Sequence, residues 1–169
     1  LTAAGNITYI YDVNGNLASQ TVNGQTTQFL YDGARLIAET DANNNITAAY
    51  RYFFALQSME RGTTKRYFLF DGQGSTRQLL NESQSVTDTY TYDAFGNVVS
   101  ASGTSVNPMR YVGNLIYHTD SDSGLALLGL RYYDPTVGRF ITADPARAEG
   151  NAYLYARANP VNRVDPGGT

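Results

Sequence analysis

The 169-residue sequence contains no cysteine, no tryptophan, one histidine and one lysine. Without cysteine a disulfide framework and all thiolate chemistry are excluded, and the redox compartment leaves no mark. The single histidine, His118, excludes a multi-histidine zinc site and works against a Ser-His-Asp triad. A net charge of −3 and a pI near 5.0 argue against nucleic acid as the main partner. Long apolar runs are also missing. Stretches such as Leu125–Leu130 fall far short of the ~20 residues that a spanning helix requires, so membrane insertion by this segment is not expected. Leu1–Gly5 has neither the basic start and apolar run of a signal peptide nor an initiating methionine. The chain therefore reads as a fragment whose export signal lies elsewhere.

What is abundant points to β-structure. There are 14 tyrosines and 16 glycines, with Thr and Val and recurrent Asn-Gly and Asp-Gly pairs, the composition of strands joined by tight turns. Eleven arginines stand against one lysine, a choice suited to fixed pairing with carboxylates. At this length a chain can bury a real core without a metal or disulfide, and no cofactor or metal is expected.

A repeat organises the sequence. Tyr11-Asp12 recurs as Tyr31-Asp32, Phe70-Asp71, Tyr92-Asp93 and Tyr133-Asp134, with gaps of 20, 39, 22 and 41 residues between the aromatics. The two long gaps are near doubles of about 20, and degenerate units at Tyr52-Phe53 and Tyr111-Val112 are expected to fill them. Tyr9-Ile10-Tyr11 and Tyr90-Thr91-Tyr92 alternate as strands do, with the aromatics on one face. The Asp opens a turn by accepting backbone amides, and the glycine of Asn14-Gly15 or Phe95-Gly96 supplies a positive φ. Each unit is a β-hairpin that must share its aromatic face with its neighbours, since one hairpin alone is marginal in water. Packing in a wall, rather than sugar stacking, is the expected role of the tyrosine rows. The Asp41–Asn45 stretch reads as a turn, Ser100–Pro108 as a mobile loop, and Ala143–Ala158 as the place for one short helix. After Met109 prolines follow aspartates and the hairpins give way to a turn-rich cap. Asp120 to Gly124 and Gly72 to Ser75 read as hairpin turns rather than a calcium or phosphate loop.

These residues resemble a family. The tyrosine-aspartate hairpins are similar to the YD repeats of the rearrangement hotspot (Rhs) proteins, with their teneurin and Tc toxin C-subunit relatives. Leu130-Arg-Tyr-Tyr-Asp-Pro-Thr-Val-Gly-Arg-Phe140, Asp144-Pro145, Asn151-Ala-Tyr-Leu-Tyr155, Asn159-Pro160 and Asp165-Pro-Gly-Gly168 look like the signature of the Rhs-associated core, in order. The resemblance implies an all-β fold: stacked YD hairpins at residues 1–108 in a spiralling hollow shell, closed by an Rhs core or plug at 109–169. It implies a shell that encloses a C-terminal toxin domain, and an aspartyl self-protease that cuts the toxin free. The partners it implies are the upstream shell of the same polypeptide, the toxin as cargo, and secretion or delivery proteins, in a secreted or cell-surface setting.

Aspartyl proteolysis needs two carboxylates that share one proton, so that one serves as acid and the other as base. By themselves the Asp-Pro motifs read as capped turns. The resemblance is what assigns catalysis to Asp144 and Asp165, with cleavage after Thr169, where the family usually has Leu or Met. Arg131 stands between a catalytic and a structural role; its guanidinium suits bidentate orientation of a carboxylate. Asp134, in the repeat position, reads as a turn residue. The alternatives are an uncut teneurin-like scaffold and a carbohydrate-binding surface protein.

Overall fold

The computed structural model describes residues 7–147 and 150–169, so Leu1–Gly5 lies outside the described residues. The chain forms two compact units, one reaching to Arg66 and one running from Tyr67. Both are β-structures.

In the first unit, β1 (Ile7–Tyr11), β2 (Leu17–Val22), β3 (Gln25–Asp32), β4 (Arg35–Asp41), β5 (Ile46–Tyr52) and β6 (Leu56–Arg61) form an antiparallel meander, each pairing with the next. Period-two alternation puts Leu36 and Ala38 of β4, Ala48 and Tyr50 of β5, and Leu56 of β6 in the core. A strand register shift recurs at each repeat aromatic of this unit: between Ile10 and Tyr11, Leu30 and Tyr31, and Arg51 and Tyr52. Tyr52, placed by spacing in a degenerate unit, thus occupies the repeat position. β4, β5 and β6 also build a buried polar cluster. Arg61 grips both oxygens of Glu39 at 2.7 and 2.8 Å, and the Tyr50 hydroxyl donates to Glu39 Oε1 at 2.5 Å.

β7 (Thr64–Phe70) crosses the boundary between the units. In the second unit it leads an antiparallel run with β8 (Thr76–Leu80), β9 (Val86–Tyr92) and β10 (Val98–Ser102). Aromatics two residues apart share a face and stack: Phe68 on Phe70 at 5.6 Å and Tyr90 on Tyr92 at 6.4 Å between centroids. A second sheet follows, β11 (His118–Thr119), β12 (Ala126–Leu128), β13 (Arg131–Asp134) and β14 (Arg139–Phe140), in sequential antiparallel order. Its core gathers Tyr111, Tyr117, Leu128, Tyr133, Phe140 and Tyr155. The change from one sheet to the other falls between Ser102 and His118, whereas the chain passes from one compact unit to the next at Arg66 and Tyr67.

The turns carry the repeat chemistry. At Asp12 one carboxylate oxygen accepts the amides of Asn14 and Asn16 at 2.8 and 2.9 Å, and the other accepts the Asn16 side chain. The same arrangement recurs at Asp41 with Asn45 and at Asp93 with Asn97. The third residue after the acid takes a positive φ, from Gly15, Gly74 and Gly96 in the YD turns and from Asn44 and Gln84 in the others. The Asn81 to Ser85 turn, built the same way, was not foreseen from the sequence.

Three expectations need correction. Ser100–Pro108 is not a free loop: Ser100 to Ser102 extend β10, and Ser105 donates its amide and hydroxyl to Asp88 at 2.8 and 2.7 Å. A buried carboxylate, 1% exposed, takes up that segment's donors, which its low-complexity composition concealed. Ala143–Ala158 holds no α-helix among the described residues. Asp144 Oδ1 takes the Ala146 amide and turns the chain, and a 3₁₀ turn covers Ala156–Ala158. A second such turn lies at Gly113–Leu115. Finally, Tyr111 ends no hairpin strand. It is a core residue whose ring lies beneath Gly96, and its hydroxyl donates to the Ala94 carbonyl at 2.9 Å. A β-carbon on Gly96 would sit 2.6 Å from that ring.

Candidate functional site

The second unit places its cap by docking it on the YD turns. The Gln73 side chain donates to the Pro160 carbonyl, and the Asn97 side chain to the Pro135 carbonyl at 2.8 Å. The Tyr133 hydroxyl donates to the Phe95 carbonyl at 2.6 Å, and the amide of Asn114 to the Gly74 carbonyl at 3.0 Å. Turns that end one hairpin therefore serve as sockets for another part of the fold.

Arg131 begins β13 with its side chain 3% exposed. The strand's alternation turns Arg131 and Tyr133 to the buried side. The guanidinium carbon stands 3.5 Å above the centroid of Phe140. Three of its nitrogens are engaged: Nε with the Gly168 carbonyl, Nη1 with the Ala152 carbonyl at 2.9 Å, and Nη2 with Asp165 Oδ2 at 3.4 Å. Such a fork can only be filled by arginine.

Asp165 receives more than this ion pair. The Thr169 amide donates to Asp165 Oδ1 at 3.1 Å, and the Asp165 amide donates to the Tyr117 hydroxyl at 2.9 Å. Tyr117 is fully buried, and burial pushes its phenol well above the ordinary range. The peptide between Gly168 and Thr169 is consequently held at both ends, its carbonyl by Arg131 and its amide by Asp165.

The glycines of the Asp165-Pro-Gly-Gly168 stretch are required by close approach. A β-carbon on Gly168, at φ +63°, would lie 2.0 Å from the Leu128 carbonyl oxygen. One on Gly129, at φ +54°, would lie 2.3 Å from the Gly167 carbonyl oxygen. Backbone lies on backbone here, and the Leu130 amide donates to the Gly167 carbonyl at 3.3 Å.

Asp144 is 4% exposed. Its amide donates to the Ala152 carbonyl at 2.7 Å, the same oxygen that Arg131 Nη1 uses. Asp144 and Asp165 thus reach one carbonyl through a backbone amide and an intervening guanidinium. Both line one cleft of about 570 Å³, together with Arg131, Arg157, Arg163 and Thr169. All four residues singled out from the sequence border it: Arg131, Asp144, Asp165 and Thr169.

The sequence reading missed Ala152, Tyr117 and Phe140 as parts of this site, because a carbonyl acceptor, a hydroxyl acceptor and a ring beneath a cation leave no motif. It also missed Arg157 and Arg163, whose places on the cleft depend on the left-handed turn after Tyr155 and on the return of the chain after Pro160. Asp134 caps its turn, accepting the Thr136 amide at 2.8 Å. Asp120 does the same for Asp122 and Ser123. The repeat tyrosines Tyr50 and Tyr90 are 2% and 5% exposed, packed in the wall rather than offered as a stacking platform.

The family model described as Teneurin YD-shell matches residues 2–161. The chain belongs to this YD-shell family, to which the Rhs repeats are related. It is 36% identical over 174 residues to the tRNA nuclease WapA of Bacillus subtilis strain 168, covering 95% of this chain and 7% of that protein. It is 30% identical over 183 residues to the double-stranded DNA deaminase toxin A of Burkholderia cenocepacia, covering 93% of this chain and 12% of that one. Among solved structures, the Tc holotoxin pore of Photorhabdus luminescens superposes with a TM-score of 0.73 at 21% identity, over 99% of this chain and 9% of that chain. That likeness shows the fold. The chain spans between 7% and 12% of the lengths of these three proteins.

Proposed function

We propose that this chain is the closing segment of a toxin-enclosing YD shell, in which residues 109–169 act as a plug that cuts the polypeptide after Thr169. The observation that carries the reading is the clamp on the Gly168–Thr169 peptide by Arg131 and Asp165, with Asp144 on the same cleft. The printed names of two relatives, a nuclease and a deaminase toxin, supply the class of cargo. Delivery outside the producing cell and an upstream shell of the same polypeptide belong to the same reading.

In the proposed reaction a water oxygen bonds to the Thr169 carbonyl carbon while one carboxylate takes the water's proton. The carbon–nitrogen bond to the next residue then breaks, and the other carboxyl gives its proton to the departing nitrogen. Asp165, ion-paired to Arg131, is assigned the accepting role, and the more enclosed Asp144 the donating role. The remaining residues orient: Arg131 fixes the preceding carbonyl, and the glycines let the chain lie in the cleft.

The test is the intact mass of the full polypeptide, with the sequence that follows Thr169. Two masses that sum to the whole, divided after Thr169, are expected. Asp144→Asn and Asp165→Asn should each slow the cut by roughly 10²–10⁴-fold while the shell stays folded. A single uncut mass for the unaltered protein would leave a scaffold without proteolysis as the function.

A further inference from the structure

Cleavage after Thr169, the reading proposed above on which this inference rests, changes the charge of the cleft. A neutral peptide becomes an α-carboxylate at Thr169, and the ammonium produced leaves with the other chain. The cleft is lined by Arg131, Arg157 and Arg163 against Asp144 and Asp165, an excess of one positive charge. The new carboxylate would balance it.

Arg131 is committed to the Gly168 and Ala152 carbonyls and to Asp165. Arg157 and Arg163 are the other two cations on the cleft. Arg157 sits in an uncommon backbone. Ala156, Arg157 and Ala158 have φ of 49, 55 and 55°, three successive left-handed residues that all carry a β-carbon. Such runs persist only where the surroundings hold them, because the left-handed region crowds the β-carbon. Here Ala156 is 8% exposed, packed in the second-sheet core and bordering the cleft. The turn therefore fixes the backbone from which Arg157 reaches the cleft edge.

We propose that Arg157 and Arg163 form a carboxylate-holding pair that retains the Thr169 carboxylate after the cut. The ligand is the new chain terminus itself. Before the cut the pair has no terminal carboxylate to hold; afterwards two guanidiniums can make charge-assisted hydrogen bonds to it. The severed end then stays seated, and the plug stays closed behind the released chain.

The experiment uses the full-length protein after processing, exposed to carboxypeptidase and followed by mass. The unaltered protein is expected to keep Thr169. A double variant, Arg157→Gln with Arg163→Gln, is expected to be trimmed about tenfold faster, the effect of two partly solvated ion pairs. The corresponding double lysine variant keeps the charges and should be trimmed at a rate near that of the unaltered protein. Equal trimming of the unaltered and glutamine proteins overturns the inference while leaving cleavage intact. So does a lysine variant trimmed as fast as the glutamine one, since charge would then not be what holds the end. A glutamine variant that is no longer cut assigns the pair to the cutting step and overturns retention. Absence of any cut in the unaltered protein is a separate result, which removes the cleavage reading and this inference with it.

Discussion

Arg131 and Asp165 hold the two ends of one peptide group: the guanidinium takes the Gly168 carbonyl, and the carboxylate takes the Thr169 amide. The ion pair between them, at 3.4 Å, closes the ring. Sequence distance makes this a tertiary feature, since Arg131 comes from a strand and Asp165 from the chain that crosses over it. A clamp of this kind needs a planar donor with several nitrogens, which sets the first expectation.

Arg131→Lys keeps the charge and loses the fork. A lysine ammonium can serve the Gly168 carbonyl or Asp165, but it cannot reproduce the three engaged nitrogens. The expected loss is roughly 2–3 kcal/mol of stability. Cleavage should slow on the order of 100-fold through misplacement of the peptide. Urea unfolding and the rate of appearance of the cut mass measure the two effects. Stability and cutting both unchanged would show that the fork is dispensable.

Gly168→Ala tests the backbone contact. A β-carbon there would meet the Leu128 carbonyl at 2.0 Å in a backbone conformation that already disfavours it. A stability loss of roughly 1–3 kcal/mol is expected, with the last residues displaced from the cleft and cutting lost. Gly72→Ala is the comparison, because nothing lies within 4 Å of its β-carbon position. It should stay within about 0.5 kcal/mol of the unaltered protein.

The Glu39 cluster of the first unit yields a thermodynamic cycle. Arg61→Met leaves Glu39 buried without its bidentate cation and should cost roughly 3–5 kcal/mol. Tyr50→Phe removes one hydrogen bond and should cost about 1–2 kcal/mol. Replacing Glu39 and Arg61 together by methionine should recover most of the first loss. Additive losses in denaturant unfolding would show that the two charges do not act as a pair.

Stability should fall at both ends of the pH scale. Burial pushes the Tyr52 phenol up to about 12, opposed by Arg35, and pushes Tyr50 well above the ordinary value, reinforced by Glu39. A raised phenol contributes stability that is complete below the unfolded value near 10 and is lost as pH climbs through the folded one. At the acid end, the Asn16 and Asn45 side chains hold Asp12 and Asp41 below the usual carboxylate value. Their contribution is present above about pH 4 and disappears as pH falls through the lowered values. Thermal unfolding from pH 2 to 12, with phenolate absorbance followed on the alkaline side, should show a plateau at intermediate pH. A midpoint that keeps rising beyond pH 10 would contradict the burial argument.

The hairpins were legible because their signals are local. Aromatic alternation, an acid at the turn and a glycine three residues later are all read within a few residues, as Asp12 with Gly15 and Asp93 with Gly96 show. The spacing even recovered Tyr52, where neither Asp nor Gly follows. It failed at Tyr111, where tertiary packing beneath Gly96 replaced the repeat. Four residues of the candidate site could be named from motifs. Their supporting atoms could not, because Ala152 contributes only a carbonyl and Phe140 only a ring face. The Ser100–Pro108 stretch was misread for the same reason: the group that anchors it, Asp88, lies on another strand.

The contact of Gly168 with Leu128 also has a mechanical side. With no side chain between them, the last residues lie directly on the β12–β13 hairpin, tied by Leu130 to Gly167, Arg131 to Gly168 and Asp165 to Thr169. Traction on the chain at Thr169 would load these polar ties before it reached the aromatic core behind them. The clamp that positions the peptide is thereby also a strain relief, separating whatever pulls on the terminus from the packing that keeps the unit folded.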